Sequence, residues 1–225
     1  KTAKQPAVEN INFSIKQGET VAFVGPSGSG KTTLVKLLVG LYPPAIGHVL
    51  YNGIDSKKID ILKLRKQLGF VTQDAQLFSG TIRENLLFVK PTATDEELLA
   101  VAKMAGVDDF VASHPRGFDM PVGERGSNLS SGQKQAMTIA RLLLTKPKIV
   151  FLDEPSGAMD LASERHLINR LSSAFDKDTT LLIATHRFTM LDLVDRLIVL
   201  DKGRIVADGP KKQVIEAMQK KGVKP

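Results

Sequence analysis

The apolar run Val21, Ala22, Phe23, Val24 passes directly into Gly25-Pro26-Ser27-Gly28-Ser29-Gly30-Lys31-Thr32, and no other feature restricts the possible folds so strongly. A short apolar run bounded by glycine reads as a buried strand, and the pattern G-x-x-x-x-G-K-[ST] after it reads as a loop that opens a helix. Gly25, Gly28 and Gly30 allow left-handed or crowded backbone, so successive N–H groups can converge on phosphate at a helix N-terminus. Lys31 is then within reach of the β- and γ-phosphates of a nucleoside triphosphate, and the Thr32 hydroxyl can ligate the accompanying Mg²⁺. The candidate nucleotide-binding residues here are Gly25, Pro26, Ser27, Gly28, Ser29, Gly30, Lys31, Thr32 and Thr33.

The 225 residues suffice for one large domain, or one domain carrying an inserted subdomain. With 42% hydrophobic and 24% charged residues the chain is an ordinary globular one, which excludes disordered and fibrous classes. The absence of cysteine removes disulfides, thiolate metal sites and thiol nucleophiles. No apolar run approaches the roughly 20 residues of a spanning helix, so this chain is expected to be soluble by itself. The net charge of +7 is scattered; only Lys211, Lys212, Lys220, Lys221 and Lys224 cluster, as a solvated helix face and tail.

Hydrophobic patterning predicts strands at 21–24, 69–72, 149–152, 181–184 and 197–200 with helices between most of them. That alternation argues an α/β fold with a mostly parallel sheet. Antiparallel strands are expected in residues 7–15 and in hairpin-like segments at 48–53 and 203–209. From Thr81 to Leu144 strand signals vanish, and Thr94 before Asp95, Glu96 and Glu97 is a helix N-cap. The stretch reads as a helical subdomain inserted into the α/β core. Tyr42 and Tyr51 are expected to be packing residues.

A second strand, Ile149-Val150-Phe151-Leu152, ends in Asp153-Glu154. Neighbouring side chains at a strand end diverge, so Asp153 can hold Mg²⁺ while Glu154 faces the attacking water as general base. Upstream, Leu129-Ser130-Ser131-Gly132-Gln133 opens a helix over 134–144, which places Ser130 and the Gly132 backbone at a second anion-binding helix N-terminus. In this order the motifs resemble those of the ATP-binding cassette (ABC) superfamily, whose signature is usually L-S-G-G-Q; Ser131 stands where the family has its first glycine. The resemblance implies a P-loop NTPase core of residues 1–80 and 146–225, an antiparallel β subdomain, and a helical subdomain of residues 81–145, all within one ATPase domain.

Residue by residue, the resemblance makes Gln73 the Q-loop glutamine, a Mg²⁺ ligand linking the ATP site to the helical insert. It makes Ser156-Gly157-Ala158-Met159-Asp160 the D-loop, His186 the switch histidine on γ-phosphate, and Ser130, Gly132, Gln133 and Asp160 nucleotide contacts. The implied metal ligands are Thr32, Gln73 and Asp153, and the implied catalytic residues Glu154, His186 and Lys31. Phe78-Ser79-Gly80-Thr81-Ile82-Arg83-Glu84-Asn85 and Val122-Gly123-Glu124-Arg125-Gly126 resemble exporter segments that face a transmembrane domain. A G-A-M-D D-loop and the run from Leu193 to Pro210 look most like type I protein-secretion exporters.

The expected molecule is therefore a Mg²⁺-dependent ATPase pairing head to tail with a second copy of itself. A transmembrane domain fused upstream would hold it at the cytoplasmic face of a bacterial inner membrane. Nucleic acid is not expected as a partner. Family exporters carry an adenine-stacking aromatic just upstream of where this chain starts. The alternatives are a multidrug or lipid exporter cassette and a soluble cassette ATPase acting on nucleic acid or ribosomes. A small-molecule kinase would leave Ser130 to Gln133 unexplained.

Overall fold

The computed structural model describes residues 6–72, 76–157 and 159–220; Gln73 and Ala158 lie outside them. Within that span the chain divides into two compact units. The first takes in the chain up to Phe70, Lys148–Glu154 and the chain from Asp178 onward.

Its sheet contains β1 (Thr20–Val24), β4 (Leu68–Val71), β5 (Ile149–Asp153), β6 (Thr180–Thr185), β7 (Arg196–Asp201) and β8 (Arg204–Pro210), in the spatial order β4-β5-β6-β1-β7-β8. β5, β6, β1 and β7 run parallel and β8 returns antiparallel. Every residue of β6 is buried, which fits a near-continuous apolar strand covered on both faces. Against this sheet pack Leu34 and Val35 of α1 (Lys31–Leu38), joining Val21, Phe23, Phe151, Leu182, Ile198 and Leu200 in one core. Each such side chain contributes about 1.5–3 kcal/mol on burial.

The expected strands are present, most of them a residue or two longer than the apolar runs. Residues 7–15 correct the expectation: no strand forms there. Asn10 takes φ 52°, which breaks the extended backbone. Ile11, Phe13 and Ile15 still pack on the core, with the Phe13 and Phe23 rings edge-on at 5.7 Å. The segment is tied by Glu9 N–H to Gly203 O (2.8 Å) and by Arg196 Nη1 to Ser14 O (2.8 Å).

The first hairpin is short: β2 (Leu50–Tyr51) pairs antiparallel with β3 (Ile54–Asp55) across Asn52 and Gly53, at φ 50° and 78°. Positive φ at both central residues is the type I′ requirement that an Asn-Gly pair satisfies. Tyr51 packs as expected; its hydroxyl donates to Leu38 O, and burial pushes the phenol up to about 12. Tyr42 does not, being 54% exposed, because it lies past the end of α1 beside Lys36 rather than over the sheet. α2 (Ile61–Arg65) follows, capped by Asp60. α8 (Lys211–Lys220) buries only Val214, so its lysines are largely solvated, although Lys211 Nζ reaches Leu191 O at 2.8 Å.

The second unit comprises Val71–Pro147 and Pro155–Lys177. It holds α3 (Ile82–Leu87), α4 (Asp95–Ala105), α5 (Asp108–Val111), α6 (Ser131–Thr145) and α7 (Leu161–Ala174). Thr94 caps α4 as the sequence requires, in a reciprocal box with Glu97. α4 ends at Gly106 in left-handed conformation (φ 83°), where a Cβ would strike the Arg170 guanidinium. Arg170 in turn holds Asp109 at 2.6 Å, and this joins α7 to the α4–α5 corner.

Candidate nucleotide-binding site

β5, β6 and β1 are neighbours and parallel, with Asp153 level with Ala184 and Thr185 level with Val24. The segments leaving their C-terminal ends therefore emerge at one sheet edge, where open α/β sheets place ligands. These segments are the loop from Gly25, the pair Asp153-Glu154, and His186.

In the loop, Gly25 sits at φ 151° and a Cβ there would collide with Leu200 O. Gly30, at φ 103°, faces Val8 and Ala7, where a Cβ would lie 2.7 Å from Val8 Cγ1. The turn of the β7–β8 hairpin supports the loop from behind, through Gly203 N–H to Ser29 O at 3.0 Å. Pro26, Ser27 and Gly28 form the exposed crest, and nothing lies within 4 Å of where a Gly28 Cβ would be. Lys31 is buried and folded back on the loop, its ammonium donating to Gly25 O (2.8 Å) and Pro26 O (3.2 Å). Ser29 Oγ is buried without a hydrogen-bond partner. An orphaned hydroxyl and a glycine cradle beside a lysine fit a polyanion. Thr33 follows inside α1 and is half-buried.

Thr32 Oγ1 donates to Asp153 Oδ1 at 3.0 Å. A hydroxyl and one carboxylate suit Mg²⁺, which takes one or two protein oxygens plus phosphate and water, and they do not suit a cage metal. No group of three or more His, Cys, Asp or Glu side chains able to hold a metal occurs among the described residues. Asp153 is almost fully buried, and desolvation raises its pKa, opposed by the Thr32 hydrogen bond and by Lys36 and Lys31 and aided by Glu154. A cation at this point would supply the charge that burial withholds.

Glu154 adopts φ 49°, a left-handed conformation costly for a side chain of this kind, and its N–H bonds Ala184 O at 2.8 Å. Its Oε2 lies 2.9 Å from His186 Nδ1. The sequence offers Glu154 and His186 as separate candidates; the sheet brings them into contact as a pair. The imidazole is exposed, leaving Nε2 open to a ligand.

In the second unit, α6 begins three residues earlier than expected. Ser130 Oγ accepts from Gln133 N–H (3.2 Å) and Gln133 Oε1 from Ser130 N–H (2.9 Å), so Ser131 and Gly132 form its first turn. Asp160 caps α7, accepting from Ser163 N–H (2.8 Å) and Ser163 Oγ–H (3.1 Å), and the backbone bond first of all lowers its pKa.

Residues 8–157 match the family described as ABC transporter. The chain belongs to the ABC transporter family. This cassette is 45% identical over 210 residues, 93% of its length, to a protein of Staphylococcus aureus (strain NCTC 8325 / PS 47) named as multidrug export ATP-binding/permease protein. The counterpart in the bovine strain RF122 / ET3-1 matches equally, and the cassette spans 36% of each relative. All of it also superposes on 40% of a solved structure, a bacterial Atm1-family ABC exporter with ATP bound, at TM-score 0.89 and 33% identity. The cassette is thus the ATPase domain type of ABC exporters, with their α/β fold.

Several features of the cassette escaped the sequence reading. The pairing of Ser130 with Gln133 was legible as S-x-x-Q before a helix. The buried contact of Ser156 Oγ with Glu164 Oε1, at 2.6 Å, had no such signal. Nor did the partners of Arg141, described below. Among the described residues no helix is long and apolar enough to cross a membrane.

Proposed function

We propose that this chain is the nucleotide-binding domain of an ABC exporter of multidrug type, hydrolysing Mg-ATP to drive an attached transmembrane domain. The observation that carries the reading is the single edge at which Thr32–Asp153 and Glu154–His186 form pairs beside the glycine loop. Multidrug export is favoured over type I protein secretion by the names of the relatives. The G-A-M-D motif and the run from Leu193 to Pro210 are the features that speak for secretion. The whole chain is one cassette domain in this reading, with residues 81–145 as its helical insert.

Glu154 accepts the proton of the attacking water, and His186 holds that carboxylate through Nδ1 while Nε2 faces γ-phosphate. Lys31 exchanges the Gly25 and Pro26 carbonyls for β- and γ-phosphate oxygens. Thr32, Asp153 and Gln73 are the residues to hold Mg²⁺, which supplies charge neutralisation at the phosphates. Ser130, Gly132, Gln133 and Asp160 serve the nucleotide of a second copy docked head to tail, in a closed two-fold arrangement. The segments at Phe78 and Val122 face the transmembrane domain, at the cytoplasmic side of the membrane.

Glu154→Gln tests this directly. The variant retains Mg-ATP and loses hydrolysis by about 10²–10⁴-fold, the usual worth of a general base. Size-exclusion chromatography with ATP then shows a dimer absent without nucleotide. A monomer at high protein and ATP concentrations refutes the sandwich.

A further inference from the structure

Arg141 lies in the C-terminal half of α6 and makes no ion pair among the described residues. Its guanidinium is held by carbonyl oxygens instead. Nε donates to Asn85 O and Nη1 to Gln76 O, each at 2.8 Å, while Nη2 donates to Asn85 Oδ1. The Phe78 ring covers it, with Cζ 5.3 Å from the centroid. Asn85 is fully buried and continues the network through Nδ2 to Phe78 O (3.1 Å) and Thr81 O (2.9 Å). One side chain of α6 thus grips both ends of the segment 76–85, and Asn85 grips its middle.

A charged group placed here without a carboxylate carries a desolvation cost, and burial lowers the Arg141 pKa accordingly. A leucine or methionine would avoid that cost but take from the buried Asn85 Oδ1 the donor that Arg141 supplies. What the guanidinium supplies is direction: a rigid fork reading three oxygens at fixed angles. Phe78 is 37% exposed and packs 5.0 Å, centroid to centroid, from Phe88, which is 70% exposed, so the same grip anchors an exposed aromatic pair. Ser130 lies eleven residues up the same helix, about 16 Å at the helical rise.

We propose that Arg141 is a positioning residue that fixes segment 76–85 on α6, so that the aromatic surface of Phe78 and Phe88 moves as one body with Ser130 and Gln133. This rests on the reading that Ser130 and Gln133 act on the nucleotide of a second copy. Arg141 touches no reacting atom, and its effect falls on turnover rather than on the binding of ATP at Lys31.

The test compares Arg141→Met, Asn85→Ala, the double variant and Arg141→Lys, by ATP titration calorimetry, thermal unfolding and steady-state hydrolysis by this chain at high protein concentration. Arg141→Met keeps ATP affinity within about twofold and loses about ten- to a hundredfold in turnover at saturating ATP, the scale of a misplaced contributing group. The double variant is no slower than Arg141→Met, because both substitutions break one joint. Arg141→Lys recovers part of the loss. If Arg141→Met fails to show a cooperative unfolding transition, Arg141→Lys carries the test, with turnover reduced at least about threefold and affinity unchanged. Turnover within twofold of the parent, a parallel loss of affinity and turnover, or multiplying losses in the double variant overturns the proposal. Ser130→Phe separates the two readings. If it leaves turnover intact, the role of α6 falls and this proposal with it; if it abolishes turnover while Arg141 variants are normal, only this proposal falls.

Discussion

Asp153 shows at the scale of one residue what a candidate binding site asks of the fold that carries it. Its carboxyl titrates above the usual range because burial opposes the charge. For a group raised in this way the folded state holds the proton more tightly than the unfolded one. Its stabilising contribution is therefore full below the ordinary aspartate value and lost as pH rises through the raised one. At neutral pH the buried charge is a cost. Asp153→Asn keeps the acceptor for Thr32 Oγ1–H and removes that cost. It unfolds at higher temperature than the parent at pH 7 in the absence of nucleotide, and the advantage shrinks on acidification. It also loses Mg²⁺-dependent hydrolysis. Thermal unfolding over a pH series checks the first part, and a variant no more stable than the parent at pH 7 contradicts it. His186→Ala separates the partners of the other pair: under the proposed function ADP affinity is retained while turnover falls by about 10²-fold or more, since only the carboxylate's orientation and the proposed γ-phosphate contact are removed. Equal losses of ADP and ATP affinity with normal turnover mark the imidazole as structural.

Among the elements, α3, α4 and α6 begin with the same device, and the proposed function gives it a further use in α6. Thr81 with Glu84, Thr94 with Glu97 and Ser130 with Gln133 are all reciprocal capping boxes. Removing any one of these hydroxyls costs about 1 kcal/mol. Thr94→Ala therefore lowers the urea midpoint and leaves ATP turnover unchanged, whereas Ser130→Ala lowers both. Equal turnover in the two variants removes Ser130 from the site. At the far end of α4, Gly106→Ala brings two faults together, a Cβ at φ 83° and its collision with Arg170. The expected loss is about 1 kcal/mol or more, read as a shifted denaturation midpoint. The hairpins obey the same local rule: Asn52-Gly53 and Lys202-Gly203 each place two positive φ angles in sequence, and each reverses the chain.

At the scale of the whole molecule, the nucleotide is held by its phosphates if the proposed function is right, because the loop offers backbone, lysine and hydroxyl groups and no ring for the base. Tyr51 is tied to Leu38 O, and Tyr42 stands beside Lys36. ATP and GTP then bind this chain within about threefold of each other, well under the 1–3 kcal/mol that a stacked base contributes. Competition calorimetry decides it; a tenfold preference shows that a residue of this chain reads the base.

The sequence by itself determined the local pieces: the apolar run of β1, the glycine loop and the start of α1, because chain conformation there follows from what each residue permits its own backbone. It also determined the acidic end of β5 and the capped start of α4. It misjudged residues 7–15, where alternating apolar residues suggested a strand and Asn10 turns the backbone instead. Only the tertiary structure decided the strand order β5-β6-β1, which brings Gly25, Asp153 and His186 to one edge. It alone made Glu154 the partner of His186 and Arg141 the partner of Asn85. Such pairs join residues far apart in the chain, and their meeting depends on which strands and helices pack together, which no local preference encodes.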